Sequence, residues 1–590
     1  MASTRKARES VRANAANFES VVAQWFEEDD SCEEGNIFED ASSEESANEP
    51  ADVNIEADDS PSDNITSSES ENEEPPQKGI EDHTYISRNG TIWKLEPPAT
   101  FRTPVHNIVK KAPGPARGLK TCKPKDAWDY FISKEILEEI INCTNIEGRR
   151  VAALRGKTWK NVSLAEMEGF LGLLLLSGVE KSWDVPIREL FLDEKANPTY
   201  KATMSVNRFE DIRRMIRFDD RRTREARSAD DKLAAVRYVW ELFLDKCRNR
   251  MIPNDSLTVD EQLVPFRGRC SFTQYMPSKP AKYGIKIFWL CDATSAYALD
   301  GIVYTGRKPH EPIQKNLGLN VVKDLAKSIE GSSKNITVDN FFTSVQLAEE
   351  MLQKQITVVG TIKQNKPEIP NEMKPSASRA IHSSLFAFRG DITMVSYVPK
   401  KKKSVVLIST MHHDRNIDET HAKKKPDIIK FYNSTKGGVD QMDQKIRYYT
   451  CKRQTRRWPF ALWMNMMDVA AMNSEILFSA QHLTYHSGRS DKRRLFLRDL
   501  AEEMVRPLME LRIQIPNLPK KIVDAMQRCG VQKDVILPNQ LPVSGKRRRC
   551  NYCPYNKHRK SAMTCIKCKT NICKEHSGVL CASCLSHVEN

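Results

Sequence analysis

Four aspartates in three short segments have the types and placement that phosphoryl transfer uses. Asp260 lies inside a strand-like run, Leu257-Thr-Val-Asp-Glu-Gln-Leu263, on the face opposite Val259. Asp339 ends a second run, Asn335-Ile-Thr-Val-Asp339, just before Asn340-Phe341-Phe342. Asp440 and Asp443 follow Gly437-Gly438 at a three-residue interval that turns both to one side of a helix. Two divalent ions held close together activate the attacking oxygen and stabilise the leaving oxygen of an in-line displacement at phosphorus. Mg²⁺ is hard and takes oxygen ligands, so carboxylates suit it, and without metal such carboxylates repel one another. Each residue alone also has a plainer reading: Asp260 on a solvated strand face, Asp339 in a strand-ending turn, Asp440 as a helix cap.

A second constellation is made of soft donors. Cys550-x2-Cys553, Cys565-x2-Cys568, Cys573-x2-His576 and Cys581-x2-Cys584 supply eight ligands in four knuckles. Two tetrahedral Zn²⁺ ions need eight. Pairing the first knuckle with the third and the second with the fourth would make a cross-brace, as in related modules; His558 and His587 are spare. RING and PHD modules need a longer segment before the last pair, which disfavours a ubiquitin ligase or histone reader. From Lys546 to Asn590 there are ten Lys/Arg and two Glu, so the module suits a DNA partner. Lys546-Arg-Arg-Arg549 reads as a nuclear import signal or a phosphate contact.

The elements that must position these residues follow from periodicity. Residues 122–250 read as mostly helical, with Trp128, Phe131, Ile132, Ile136 and Ile140 predicting one helix from Asp126 to Cys143. Ser163-Leu-Ala-Glu166 is a capping box that opens a Leu-rich helix. Ser205 to Asp220 is amphipathic, with Arg208, Arg213, Arg214 and Arg217, and Arg221, Arg222, Arg224 and Arg227 follow; such a face lies along phosphates or is simply solvated. After Pro253 come three strands (Leu257–Leu263, Gly284–Cys291, Tyr297–Tyr304), a helix (Leu317–Ile329), a strand (Asn335–Asp339), a helix (Ser344–Lys354) and a strand (Ile356–Ile362). That order predicts an α/β fold with one mixed sheet. Residues 366–428, with strand-like pieces around Lys400–Lys403, read as an insertion, and helical signal returns from Gly438 to about Met509.

The chain has 590 residues and a net charge of +13, unevenly spread. Between Glu27 and Asp82 there are 22 Asp/Glu and one Lys, leaving +34 on the rest. That acidic tract should be disordered, with Ser42, Ser60, Ser68 and Ser70 placed for an acid-directed kinase. Val11, Phe18, Val21, Val22 and Trp25 suggest a short helix before it. Residues 83–121 look like a linker or extended arm. A body this basic points to a polyanion, most naturally nucleic acid. The longest apolar run, Phe170 to Val179, is too short for a bilayer, and Met1-Ala-Ser-Thr-Arg-Lys lacks a secretory core, so neither a membrane partner nor secretion is expected. Seven of 15 cysteines fall in the terminal array, which fits a reducing compartment. Gly156-Lys157-Thr158 resembles the end of a P-loop, but the first glycine position is Val151, which rejects ATPase chemistry. His412, His413 and His421 read as loop histidines.

Leu257-Thr-Val-Asp-Glu-Gln-Leu, Phe266-Arg-Gly-Arg-Cys270, Tyr283-Gly-Ile-Lys286, Ile336-Thr-Val-Asp-Asn-Phe-Phe-Thr-Ser344, Tyr432-Asn-Ser-Thr-Lys-Gly-Gly-Val-Asp-Gln-Met-Asp-Gln444, Arg456-Arg-Trp-Pro459 and the cysteine array together resemble the piggyBac transposase family, in order over about residues 120–590. The resemblance implies an RNase H-like catalytic domain (256–365 and 429–449) interrupted by an insertion domain (366–428). A dimerisation and DNA-binding domain (122–255 and 450–530) flanks it. A tail and linker (1–121), a second linker (531–549) and a zinc module (550–590) complete the chain. It implies catalytic Asp260, Asp339, Asp440 and Asp443, with the first three holding two Mg²⁺, for which Mn²⁺ substitutes, and two structural Zn²⁺. It implies a nuclear homodimer acting on double-stranded DNA: transposon terminal inverted repeats are cut through hairpin intermediates and joined to TTAA. Arg447, Lys452, Arg453, Arg456 and Arg457, just after the acidic helix, would hold phosphates, with Trp458 packing nearby; a solvated basic face is the other reading. Two alternatives stand beside active transposition: a domesticated derivative that binds DNA and regulates chromatin or transcription, and a zinc-module interaction protein with a structural core.

Overall fold

The computed structural model describes residues 84–98, 111–306, 316–533, 547–565 and 568–576. The N-terminal helix and acidic tract, with its four serines, lie outside the described residues, as do Lys546, Cys581, Cys584 and His587.

The strands are β1 (Thr84–Ile86), β2 (Ile92–Lys94), β3 (Gly114–Pro115), β4 (Met251–Ile252), β5 (Ser256–Pro265), β6 (Gln274–Tyr275), β7 (Tyr283–Asp292), β8 (Ala298–Val303), β9 (Asn335–Val338), β10 (Thr357–Thr361), β11 (Ser384–Arg389), β12 (Ile392–Lys400) and β13 (Lys403–Ser409). Eleven of them form one sheet in the order β1-β2-β11-β12-β13-β10-β9-β5-β7-β6, with β8 also on β7. β5, β7 and β8 are antiparallel neighbours, whereas β9 is parallel to β5 and β10 to β9. Parallel neighbours need crossovers, and the Leu317–Ala326 and Val345–Gln353 helices lie between β8 and β9 and between β9 and β10. Ser344 caps the second helix, its Oγ accepting from the Leu347 amide at 3.0 Å. Residues on β7 are buried on both faces, which is why its sequence runs Ile-Lys-Ile-Phe-Trp-Leu-Cys rather than alternating.

The helical region is assembled from both ends of the chain. Ser163 and Glu166 form the expected reciprocal cap of the Leu164–Val179 helix. That helix packs against Lys492–Ile513 at two glycines: a Cβ on Gly169 would meet Leu508 at 2.8 Å, and one on Gly172 would meet Met504 and Val505 at 2.9 Å. The predicted Asp126–Cys143 helix is two pieces, Pro124–Asp129 and Lys134–Leu154, with Ser133 between them. The arginines of 217–227 are largely committed to internal acids. Burial alone would raise the Glu147 carboxyl, but Arg150, Arg217 and Arg221 hold it down to about 2, and Arg224 and Arg227 pair with Asp219. Among the described residues, no helix is long and apolar enough to cross a membrane.

One segment differs from the sequence expectation, and the stretch read as an insertion joins the main sheet. Residues 366–428 continue the main sheet, because β13 pairs antiparallel with β10 and extends its edge. The stretch read as a linker holds the β1–β2 hairpin, which pairs with β11. Trp93 anchors that hairpin; it is fully buried, and its indole donates to the Glu368 carbonyl at 3.0 Å. The local signal for this hairpin, Asn89-Gly90 between Thr84-Tyr-Ile86 and Thr91-Ile-Trp93, is outweighed by the Pro-, Lys- and Arg-rich composition of the stretch around it. Replacing Trp93 with Ala should cost about 3–5 kcal/mol, read from urea unfolding. A loss below about 1 kcal/mol would show that the hairpin contributes little to the sheet.

Candidate active site

β5 and β9 run parallel in the register Thr258↔Thr337 and Val259↔Val338. The next residue on each is an aspartate, so Asp260 and Asp339 stand side by side where the two strands end their pairing. Neighbouring strands are about 4.8 Å apart, and register alone therefore brings together two carboxylates separated by 79 positions in the chain.

The Gly438–Tyr448 helix carries the other two acids across β5. Its approach depends on threonines. Thr258 Oγ1 donates to the Thr435 carbonyl at 2.6 Å and accepts from the Gly438 amide at 3.2 Å. The Thr337 and Thr435 hydroxyls meet at 2.7 Å. A side chain on Gly438 would place its Cβ 2.6 Å from Thr258 Oγ1, so glycine is what lets the helix seat on the strand. Thr258, Asp260 and Gln262 share one face of β5 by strand alternation. Thr258 contacts the start of the helix, and Gln262 Nε2 donates to Asp443 Oδ1 at 2.8 Å one turn on. Asp260 lies between these two contacts. Asp440, in the helix's first turn, is exposed, so the cluster opens to solvent on its side.

The electrostatics match this geometry. Burial first, then Glu261, Asp440 and Asp339, push Asp260 well above the usual carboxylate range, with Lys279 a partial offset. Asp339 is raised by burial and Glu261, against the Phe341 and Phe342 amides and Lys363. Tyr432 is driven up to about 12 by burial and by the combined field of Asp339, Asp260 and Asp440. Asp443 is set apart by its partners, because it also accepts from Arg447. The donor set is all oxygen, with a net repulsion that divalent cations would remove, and it fits Mg²⁺ or Mn²⁺.

Of the five basic residues after the acidic helix, Arg447 pairs with Asp443. Arg453 is buried and donates to the Val185 carbonyl at 2.8 Å. Burial lowers Lys452, against the pull of Asp468 and Asp443. Arg457 donates to the Arg214 carbonyl at 2.8 Å, and burial, then Arg217 and Arg213, push it down to about 9. Arg456 is exposed, in a groove of about 550 Å³ shared with Arg213, Arg214 and Arg457. Trp458 packs edge-on against Phe272, with ring centroids 5.0 Å apart. Thr258, Gln262, Thr337 and Thr435 were not singled out from sequence. The first two lie two residues either side of Asp260, so the same-face rule is the signal that could have found them.

At the C-terminal end, Cys550, Cys553, Cys573 and His576 bring all their ligand atoms within 4.8 Å of one another. His576 Nδ1 lies 3.6 Å from Cys550 Sγ, 3.6 Å from Cys553 Sγ and 3.3 Å from Cys573 Sγ, and Cys553 and Cys573 are 3.6 Å apart. A tetrahedral zinc spaces its sulfur and nitrogen ligands by roughly 3.5–3.8 Å. First and third knuckles therefore meet. Cys565 is buried and Cys568 exposed, and the expected partners of that knuckle lie outside the described residues.

A family model described as Transposase IS4 matches residues 123–475. The human PiggyBac transposable element-derived protein 3 is 23% identical over 518 residues, covering 81% of this chain and 82% of the relative. The human PiggyBac transposable element-derived protein 2 is 23% identical over 379 residues, 60% of each chain. A solved structure described as a cryo-EM structure of a piggyBac transposase synaptic complex with hairpin DNA superposes with a TM-score of 0.68 at 36% identity, covering 80% of this chain and 100% of that one.

Two predictions follow from the two donor sets. Because folding raises Asp260 and Asp339, the metal-free protein should lose stability as pH rises from the ordinary carboxyl range through their raised values. Asp260→Asn should therefore raise the metal-free melting temperature near neutral pH, while Mg²⁺ at a hundred times its Kd should stabilise the wild type by about 2.7 kcal/mol and the variant far less. Equal Mg²⁺ gains in both would contradict a shared site. At the thiol group, Cys573→Ser should remove one zinc equivalent in native mass spectrometry of the full chain, and an unchanged zinc count would exclude Cys573 as a ligand.

Proposed function

The chain belongs to the Transposase IS4 family, in its piggyBac-type branch, and on that premise we propose that it excises and inserts DNA through the acidic cluster of Asp260, Asp339, Asp440 and Asp443. The observation that carries this reading is the in-register pair Asp260–Asp339 beneath the Asp440 helix.

Asp260, Asp339 and Asp440 would hold two Mg²⁺, or Mn²⁺ in their place, and the metals would supply charge neutralisation at the attacking and leaving oxygens. The residues of the chain do the rest. The Thr258–Thr337–Thr435 bonds fix the acidic helix on the sheet, and the exposed side at Asp440 leaves an approach for a DNA phosphate. Arg456, beside Arg213 and Arg214, suits the backbone next to that phosphate; such contacts position DNA and do not read its sequence.

Each chemical step exchanges one P–O bond for another, so no nucleotide cofactor is needed. Water opens the strand at the transposon end. The freed 3′-hydroxyl then attacks the opposite strand, giving a hairpin on the transposon and releasing the flank. Water reopens the hairpin, and the 3′-hydroxyl joins a TTAA target as the target's own 3′-oxygen leaves. The same carboxylates serve every step, since water and sugar hydroxyl attack phosphorus in the same way. The helical region built from both ends of the chain suits dimerisation and DNA binding. Two Zn²⁺ in the C-terminal module, the first held by Cys550, Cys553, Cys573 and His576, suit recognition of the terminal inverted repeats. A homodimer working in the nucleus completes the reading. The four aspartates, with Asp440 exposed, favour mobilisation over the domesticated, non-mobilising alternative.

The test is strand nicking of a duplex carrying a transposon end, with Mg²⁺. Wild type should nick, and Asp339→Asn should fall by at least about 10³-fold. Equal nicking by both, or none by either, would overturn the reading.

A further inference from the structure

Beneath Asp443 lies a polar network that the catalytic reading does not use. Gln262 is 1% exposed. Its Oε1 accepts from the Trp289 indole at 2.9 Å and from Asn465 Nδ2 at 3.0 Å, and its Nε2 donates to Asn465 Oδ1 at 3.3 Å and to Asp443 Oδ1 at 2.8 Å. Asn465, from the Trp458–Gln481 helix, is fully buried, as is Trp289.

The network has a fixed polarity. An indole N–H can only donate, so it compels Gln262 to present its oxygen to Trp289 and its amide N–H to Asp443. Asp443 accepts there and accepts again from Arg447, so both of its oxygens face donors. Because Asp443 lies three residues beyond Asp440 on the same helix, fixing it fixes the angle at which that helix presents Asp440 over β5. A buried amide held at four points resists rotation far better than a solvated one.

We propose that Gln262 is a positioning residue: with its amide direction set by Trp289 and Asn465, it holds Asp443 and through it orients the acidic helix against Asp260 and Asp339. This rests on the function proposed above for those aspartates. Gln262 touches no substrate and acts only through Asp443.

Two near-isosteric variants separate this from a packing role. Gln262→Glu keeps the shape and still accepts from Trp289 and Asn465, but turns an oxygen toward Asp443. Gln262→Met keeps the volume and removes every bond, leaving the Trp289 indole without a partner. If the network only satisfied buried groups, Met would be the worse change. If it orients Asp443, Glu is worse at alkaline pH, where the buried Glu–Asp443 pair gives up the proton it would otherwise share and attraction becomes repulsion.

Single-turnover nicking of the end duplex in Mg²⁺, with the DNA concentration varied, reads the difference. At alkaline pH we expect the rate at saturating DNA to fall about 10-fold for Met and about 100-fold for Glu, the Glu loss shrinking as pH falls and the pair regains its proton, with half-saturating DNA within about twofold of wild type. Rates like wild type, a Met variant as slow as or slower than Glu, or a loss confined to half-saturating DNA would overturn the proposal. Wild type and Asp339→Asn run alongside. If wild type itself does not nick, the function proposed above fails, and Mn²⁺-dependent thermal stabilisation decides Gln262. In that assay Glu should need about 10-fold more Mn²⁺ than wild type for half the shift, and an equal requirement would overturn the positioning role.

Discussion

Like charges crowded onto one sheet are the constraint to which the rest of this structure answers. Asp260 and Asp339 extend a parallel register by one residue, so backbone pairing forces their proximity whatever the side chains prefer. Burial and neighbouring acids then push both carboxyls upward, Glu261 acting on each and Asp440 and Asp339 acting also on Asp260. A protein gains nothing in stability from this arrangement; the strain is kept for what the cluster binds. The neighbouring structure serves to hold it, through three threonine hydroxyls, one glycine at a close approach and one buried amide on Asp443.

The large sheet and the helical region make that cluster rigid. β5 sits between β7 and β9, well inside the sheet, and β10 to β13 and the β1–β2 hairpin extend it on one side. Thr258 and Val259, just before Asp260, are paired to β7 on one flank and to β9 on the other, and such a backbone is where precise placement of charged groups is most readily sustained. The Leu164–Val179 and Lys492–Ile513 helices pack glycine against leucine, methionine and valine. The segment that carries the acidic helix continues into Trp458–Gln481, the longest helix among the described residues, and is tied to it by Gln262, Asn465 and Asp468.

Much of the site was legible in the sequence because its parts are local. Alternation at Leu257–Leu263 and the Gly437-Gly438 pair before Asp440 each announce a backbone with an acid in a chosen position. Their convergence was not legible from those residues, since strand register is a property of pairs; family resemblance supplied it. Gln262 illustrates the limit well. It sits two residues from Asp260, yet nothing about a glutamine reveals its role until Trp289, Asn465 and Asp443 arrive from three other elements. The β1–β2 hairpin was missed for another reason: its local signal, Asn89-Gly90 between two short apolar runs, lies in a segment whose composition reads as unstructured. The arginine-rich stretch of 217–227 shows that charge density misleads when the acids that neutralise it, such as Glu147, lie 70 or more residues away.

The most direct measurement is anomalous X-ray scattering from crystals of the full chain soaked with Mn²⁺. The account predicts manganese peaks among the carboxylates of Asp260, Asp339 and Asp440, lost in crystals of a protein carrying Asp260→Asn. Well-ordered crystals in which those three side chains surround no manganese would contradict it.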